Sequence, residues 1–467
     1  MRVLFVCPPT SQEERYGKLK DIGTLHPSLG VAYIAAYSES KGHEVKVIDS
    51  EAMNYNFEDI KRIILEFKPD VIGMQTFCTN LSKCYKVAEI AKSLNKDIKI
   101  ILGGAQATLS PNDLIKQENI DFIIYGEAEI SFNNLLDTIK NKGDYKKVNG
   151  LVWKNKNKII TNKPQELIKD ISILPLPARH LFPMEKYHSS ANLRGKHTLN
   201  IMTSRGCPFR CAYCSGHLTF GKTHRYNSTE NIIKELKELT TKYHADSIQF
   251  YDETFTANRA RVMELCDALI KEKIKISWSC FTRVNLVDEE LLIKMKQAGC
   301  YLIFFGLESG VQRLLNLIKK DITLEQQEKA VKLCKKVGIE VWGSFILALP
   351  TETIEDAKQT IDWAKKLDID YVQFPICTPF PGTELYEICK KTGKILNENW
   401  ENFLTWDEIV YVPENRSIDE IKKTVKQAYR TFYLRPHITI KRALQLRKLP
   451  AKNIYKMLKA GMITFFK

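Results

Sequence analysis

The chain has 467 residues, 44% hydrophobic and 27% charged, enough for two or three domains with complete cores and too apolar for a disordered polymer. The apolar run Arg2 to Val6 ends at Cys7-Pro8-Pro9, too short for a signal peptide or a membrane span, so a cytoplasmic protein is expected. The net charge of +15 is uneven: from Ile418 to Lys467 thirteen Lys/Arg stand against Asp419 and Glu420, so the rest is close to neutral and gives no general case for nucleic-acid binding.

From Arg2 to about Lys140, short β-branched runs alternate with amphipathic stretches. Val3–Val6, Glu44–Ile48, Val71–Met74, Ile98–Leu102 and Phe122–Tyr125 read as strands, with helices near 29–41, 57–67, 79–94, 110–117 and 130–140. That alternation is the pattern of a parallel sheet wound with helices on both faces. Ligands of such sheets sit over the carboxyl ends of the strands. The loops there carry Thr10, Thr76, Gly103-Gly104 and Gly126-Glu127, with glycines that let the backbone approach a flat ligand. Gly150–Trp153 and Lys158–Thr161 read as a hairpin, and Ile173-Leu-Pro-Leu-Pro-Ala178 completes a linker.

A second series starts at Leu199–Thr203, with strands expected at Ser247–Tyr251, Ile276–Phe281, Tyr301–Phe305, Glu340–Ile346 and Tyr371–Phe374. Six βα units imply a partial barrel, whose chemistry belongs at the carboxyl ends of its strands. The loop after the first of them holds Cys207, Cys211 and Cys214 in the spacing Cys-x-x-x-Cys-x-x-Cys. Three soft thiolates suit a 4Fe-4S cluster and leave one iron open to a further ligand. A zinc site fits less well, because His217 and His224 complete no usual finger spacing. The remaining nine cysteines are scattered, as reduced thiols in an oxygen-poor setting would be.

The cysteine spacing, with Tyr213 before the last cysteine, resembles the signature of the radical S-adenosylmethionine (radical SAM) enzymes. The resemblance implies that SAM chelates the open iron. It places Asp252 and Glu253 at the methionine ammonium, and Arg283, Glu308, Ser309, Gly343 and Glu352 at the carboxylate, ribose and adenine. The first domain, with His26–Ile34 opening its first helix, resembles the cobalamin-binding domain of one large class of these enzymes, so Thr10, Thr76, Gly103, Gly104, Gly126 and Glu127 are its expected cobalamin contacts. No Asp-x-His-x-x-Gly motif is present, and Gln106 stands where relatives often carry histidine, which leaves the lower cobalt ligand open. Thr378–Thr383 matches a stretch common in the same class and is expected to close the barrel.

The expected architecture is therefore α/β: a Rossmann-like, flavodoxin-like cobalamin-binding domain (1–150), a hairpin and linker (151–192), a partial (β/α)6 radical SAM core (193–415) and a basic helical extension (416–467). In the last stretch Ile454, Met457, Leu458, Met462 and Phe465 recur at helical spacing opposite Lys452, Lys456 and Lys459. This is the profile of a helix attracted to anionic lipid, or equally of one packed on the barrel with a solvated basic face. The resemblance implies reductive cleavage of SAM by the cluster, hydrogen abstraction by a 5′-deoxyadenosyl radical, and methyl transfer from methylcobalamin to an unactivated carbon. It also implies a flavodoxin, ferredoxin or reductase as electron donor and a small-molecule or lipid-like substrate. Ring formation of the anaerobic cyclase type, methylthio transfer and a non-catalytic cobalamin sensor are the alternatives.

Overall fold

The computed structural model describes residues 1–16, 23–156, 158–190, 193–397, 399–403, 408–436 and 438–439. The first domain is built on β1 (Arg2–Cys7), β2 (Glu44–Asp49), β3 (Val71–Gln75), β4 (Lys99–Gly103) and β5 (Phe122–Ile124). These five pair in parallel in the order β2-β1-β3-β4-β5, the flavodoxin-like order. Helices cover both faces. Leu4, Val6, Ile72 and Met74 pack with Ile60, Ile64, Val87 and Ala91 on one side, while Val3, Phe5 and Val71 pack with Ala32, Ala35, Phe132 and Leu135 on the other. Burial on both faces is why these strands read as continuous apolar runs.

The hairpin expected as part of a linker is part of this sheet. β6 (Leu151–Asn155) pairs antiparallel with β5, and β7 (Lys158–Thr161) with β6, giving seven strands. Pairing to β5 satisfies the backbone groups of an edge that would otherwise be open.

The second sheet is formed by β8 (Thr198–Ile201), then, after the small ribbon of β9 (Ser204–Arg205) and β10 (Arg225–Tyr226), by β11 (Ser247–Phe250), β12 (Ser277–Thr282), β13 (Cys300–Glu308), β14 (Glu340–Phe345) and β15 (Tyr371–Gln373). β8 and β11 to β15 lie parallel in sequence order, as a partial barrel requires.

Helix Ile418–Tyr433 opens on a Ser417/Glu420 capping box and closes the far edge of that barrel. The Tyr429 phenol accepts the Phe374 N–H at 3.0 Å, and the Tyr433 phenol both accepts from the Val372 N–H (3.1 Å) and donates to the Val372 carbonyl (2.9 Å). The beginning of the basic extension is thus a plug on an edge strand. The amphipathic stretch 452–465 lies outside the described residues. Among the described residues no helix is long and apolar enough to cross a membrane.

Tyr433→Phe removes both bonds to Val372 and keeps the ring. It should lower stability by about 1–3 kcal/mol in urea unfolding followed by tryptophan fluorescence; an unchanged midpoint would show that the helix does not brace β15.

Candidate active site

The segment that delivers the cysteines is held from both sides. Past β8 the chain bends at Thr203 and Ser204, whose Thr203 N–H (3.2 Å), Thr203 hydroxyl (2.9 Å) and Ser204 hydroxyl all donate to the buried carboxylate of Asp252. Arg261 flanks that carboxylate at 3.9 Å. Gly206 follows with φ +88°, where a Cβ would run into the Thr223 carbonyl, so the turn into the cysteine loop requires glycine. Inside the loop, the Ala212 N–H donates to the Ile318 carbonyl (2.9 Å), and the Ala212 carbonyl accepts from the Leu385 N–H (2.8 Å). The stretch Thr378–Thr383 leads directly into that second contact.

Cys207, Cys211 and Cys214 line one cavity of about 230 Å³ at the carboxyl end of the barrel. Among the described residues no three His, Cys, Asp or Glu side chains converge on a single metal ion. Each sulfur has a polar neighbour. Arg283 Nη1 donates to Cys211 Sγ at 3.2 Å, the Gly216 N–H donates to Cys214 Sγ at 3.3 Å, and the Thr254 hydroxyl lies 3.4 Å from Cys207 Sγ. The Arg283 guanidinium rests 3.8 Å from the Phe209 ring centroid, which fixes its plane. Burial first, then the neighbouring Cys211 and Cys207, push the Cys214 thiol up.

Opposite the sulfurs, the Tyr213 hydroxyl donates to Glu308 Oε1 (2.8 Å), and Lys320 Nζ donates to both (2.9 Å each). Glu308 has φ +63° at a register shift between β13 and β14, a left-handed conformation costly for a residue with a Cβ. Glu253 also lines the cavity. Its Oε2 is buried with no partner, and burial, with Asp252 next to it, pushes its carboxyl up to about 7.

In the first domain, the carboxyl-end loops border open space at Gly126, φ +79°, where a Cβ would touch nothing within 4 Å. Gly104, φ +95°, passes so close to Gln75 and Thr76 that a Cβ would lie 2.8 Å from Gln75 Cγ. These loops form a backbone cradle a flat ligand fits. The cradle sits beside the cysteines, because the short helix Ala105–Leu109 packs against Gly216–Thr219 immediately after Cys214.

Two family models match the chain, the radical SAM superfamily over residues 201–364 and the B12 binding domain over residues 19–136. An uncharacterised methyltransferase of Pyrococcus horikoshii is 38% identical over 442 residues, 94% of each chain. The chain belongs to the cobalamin-binding radical SAM family. The cofactors of this radical SAM protein are accordingly a 4Fe-4S cluster, SAM and cobalamin. Its relatives include the anaerobic magnesium-protoporphyrin IX monomethyl ester cyclase of Rubrivivax gelatinosus, 27% identical over 93% of this chain and 78% of that one. The radical SAM methyltransferase TsrM of Kitasatospora setae, solved with cobalamin and a 4Fe-4S cluster bound, shares the fold at TM-score 0.71 and 16% identity, over 93% of this chain and 89% of that one.

Within this radical SAM protein the cavity gathers the three cysteines, Tyr213, Glu253 and Arg283, and Glu308 adjoins it through Tyr213 and Lys320. Four expected SAM contacts are turned away from it. Asp252 is consumed by Thr203 and Ser204. The Ser309 hydroxyl receives the Val311 N–H (3.1 Å) and meets Thr360 (3.2 Å). Gly343 faces Leu307, whose Cδ1 a Cβ would meet at 2.8 Å, while Trp342 and Ser344 on either side of it line the cavity. Glu352 takes the Ala348 N–H (2.8 Å) and Arg416 (3.0 Å). Lys320, Thr254 and Trp342 are the functional-site residues the sequence reading missed, although strand alternation with Ser344 would have placed Trp342 on the inner face.

The expected cobalamin contacts divide in the same way. Gly126 and Gly104 have the conformations of a cradle, whereas Gly103 makes ordinary packing contacts. The half-buried Thr10 hydroxyl donates to Pro8 in its own loop (3.4 Å). The buried Thr76 hydroxyl joins two loops, donating to the Gly103 carbonyl (2.9 Å) and accepting from the Ala107 N–H (3.1 Å). Gln106 is buried, its amide donating to Ser110 (3.3 Å). Glu127 is committed elsewhere: it pairs with Arg225 (2.8 Å) and Arg205 (3.5 Å) and accepts the Ile168 N–H (3.0 Å). Glu129, opening the next helix, binds Arg205 at 2.6 Å. All four charged side chains are buried, and the network joins the loop after β5 to the β9–β10 ribbon that leads to the cysteines.

Glu129→Ala leaves the Arg205 guanidinium buried with its main partner gone. It should lower stability by about 3–5 kcal/mol in urea unfolding; a midpoint equal to wild type would show that the network does not hold the domains together.

Proposed function

We propose that this chain transfers a methyl group to an unactivated carbon of a small-molecule substrate, with residues of the barrel mouth binding SAM and the first-domain loops binding cobalamin. The observation that carries this reading is a cavity lined by three thiols and by the carboxylate of Glu253, whose buried Oε2 has no protein partner. When bound, the cluster supplies the electron that cleaves SAM, and cobalamin supplies the methyl carrier, chemistry no side chain provides.

The chain's own residues bind, orient and exclude water. Glu253 accepts N–H groups from the amino end of SAM, and the sulfonium's positive charge favours this carboxylate in its ionised form. Arg283 and the Gly216 N–H place positive charge at Cys211 and Cys214, which stabilises the electron-rich sulfurs. The Tyr213–Glu308–Lys320 triad keeps the cysteine loop against β13, and Phe281, Phe304 and Trp342, which also line the cavity, keep solvent from the reacting carbon. The reading includes a low-potential flavodoxin or ferredoxin donor with its reductase, and an oxygen-poor cytoplasm.

The site predicts a pH dependence. With its carboxyl near 7, Glu253 is mostly neutral at pH 6 and mostly charged at pH 7.5; Asp252, Arg205 and Arg225 are the charged groups acting on it. SAM should therefore bind about eightfold more tightly at pH 7.5 than at pH 6, and Glu253→Gln should remove most of that difference. Equal slopes for both proteins in equilibrium dialysis would remove Glu253 from the SAM site.

Catalysis is tested by anaerobic incubation with SAM and dithionite. The wild type should form 5′-deoxyadenosine and Cys211→Ala none. Extracts of a knockout and its complemented strain should then differ by compounds one methyl group apart. A product of unchanged carbon count would replace methyl transfer with ring formation, and absence of 5′-deoxyadenosine would remove radical chemistry altogether.

A further inference from the structure

One layer of the barrel wall beneath the thiols is aromatic across four neighbouring strands. Phe281 lies opposite Phe304, Phe304 opposite Trp342, and Trp342 opposite Tyr371. Their ring centroids are 4.6, 5.1 and 5.1 Å apart, with interplanar angles of 27°, 26° and 12°. Tyr251, just past β11, meets Phe281 edge-on at 5.8 Å. Adjacent strands are about 4.8 Å apart, so rings stacked at this spacing stand upright on the sheet and turn their edges to the lumen.

Such a row stabilises a sheet by cross-strand packing alone, and a row serving only that purpose would be covered. This one is not. Phe281, Phe304 and Trp342 are only partly buried, and all three line the cavity that holds the cysteine thiols. The Trp342 indole N–H is withdrawn from solvent and has no acceptor, so the side chain that lines the cavity carries a donor the protein itself does not satisfy. In the layer above, Gln373 donates to Ser344 at 3.0 Å, so the polar side chains nearest the indole already have partners.

Ring edges carry partial positive charge and ring faces partial negative charge, so an edge-lined wall attracts a π-face or an acceptor atom more than a saturated hydrocarbon. We infer that this wall is the substrate subsite and that it selects a flat, electron-rich aromatic ring system bearing an acceptor for the Trp342 N–H, rather than a saturated lipid chain. The inference rests on reading the cavity as the active site, and names its substrate class.

The test uses cluster- and cobalamin-reconstituted protein with saturating SAM and no reductant. 2-Naphthol and decahydro-2-naphthol, which share skeleton and hydroxyl, are titrated calorimetrically. The aromatic probe should bind about tenfold more tightly although the saturated one is the more hydrophobic, and Phe304→Leu and Trp342→Phe should each narrow that ratio. Equal or tighter binding of the saturated probe overturns the inference. So does a ratio unaltered in both variants with unchanged melting temperatures, or exclusion of 2-naphthol by SAM, which would make the wall part of the SAM site. Formation of 5′-deoxyadenosine on reducing the same preparations is scored separately. Its absence in the wild type counts against the radical reading; a wild type that forms 5′-deoxyadenosine but shows no ring preference counts against the wall alone.

Discussion

Two carboxylates and two guanidiniums, buried together between the domains, set the geometry on which everything else depends. Glu127 and Glu129 come from the loop and helix that follow β5, and Arg205 and Arg225 from the ribbon that leads into the cysteines. Charges removed from water are stable only when closely paired, and separating one partner leaves the other uncompensated. The loop after β5 and the segment that leads to Cys207, Cys211 and Cys214 are therefore constrained together. Packing of Ala105–Leu109 against Gly216–Thr219 makes a second contact in the same direction.

The buried acids of the barrel differ in surroundings. Asp252 and Glu308 are matched by donors from elsewhere in the barrel, and Glu352, matched on Oε1 by Ala348 and Arg416, keeps an unpartnered Oε2 but does not line the cavity. Glu253, next to Asp252 in the chain, faces the cavity with an unpartnered oxygen. A buried carboxylate left in that condition is stabilised by a ligand that supplies the missing donors. The Trp342 indole N–H, on a side chain that lines the same cavity, is likewise without a partner.

Most of the architecture was legible in the sequence, because parallel strands buried on both faces leave uninterrupted apolar runs and the helices between them carry their own caps. Cys207, Cys211 and Cys214 were legible because their spacing is local. What was not legible depended on partners distant in the chain. Nothing near Leu151 says that its hairpin pairs with β5, and nothing near Glu127 says that Arg205 and Arg225 will claim it. Asp252 and Glu253 are chemically alike, and only the bend at Thr203 and Ser204 decides which of them turns inward. Gly343 sits one residue from two cavity-lining side chains and faces the other way, as strand alternation demands.

In the proposed arrangement, cobalamin on the first-domain loops lies close to a cluster on the barrel cysteines. The most direct measurement is electron paramagnetic resonance of the anaerobic protein carrying cob(II)alamin and the reduced cluster together. Signals should be broadened or split by mutual magnetic coupling, compared with samples holding either centre alone. Spectra that are the simple sum of the two separate centres would contradict that arrangement.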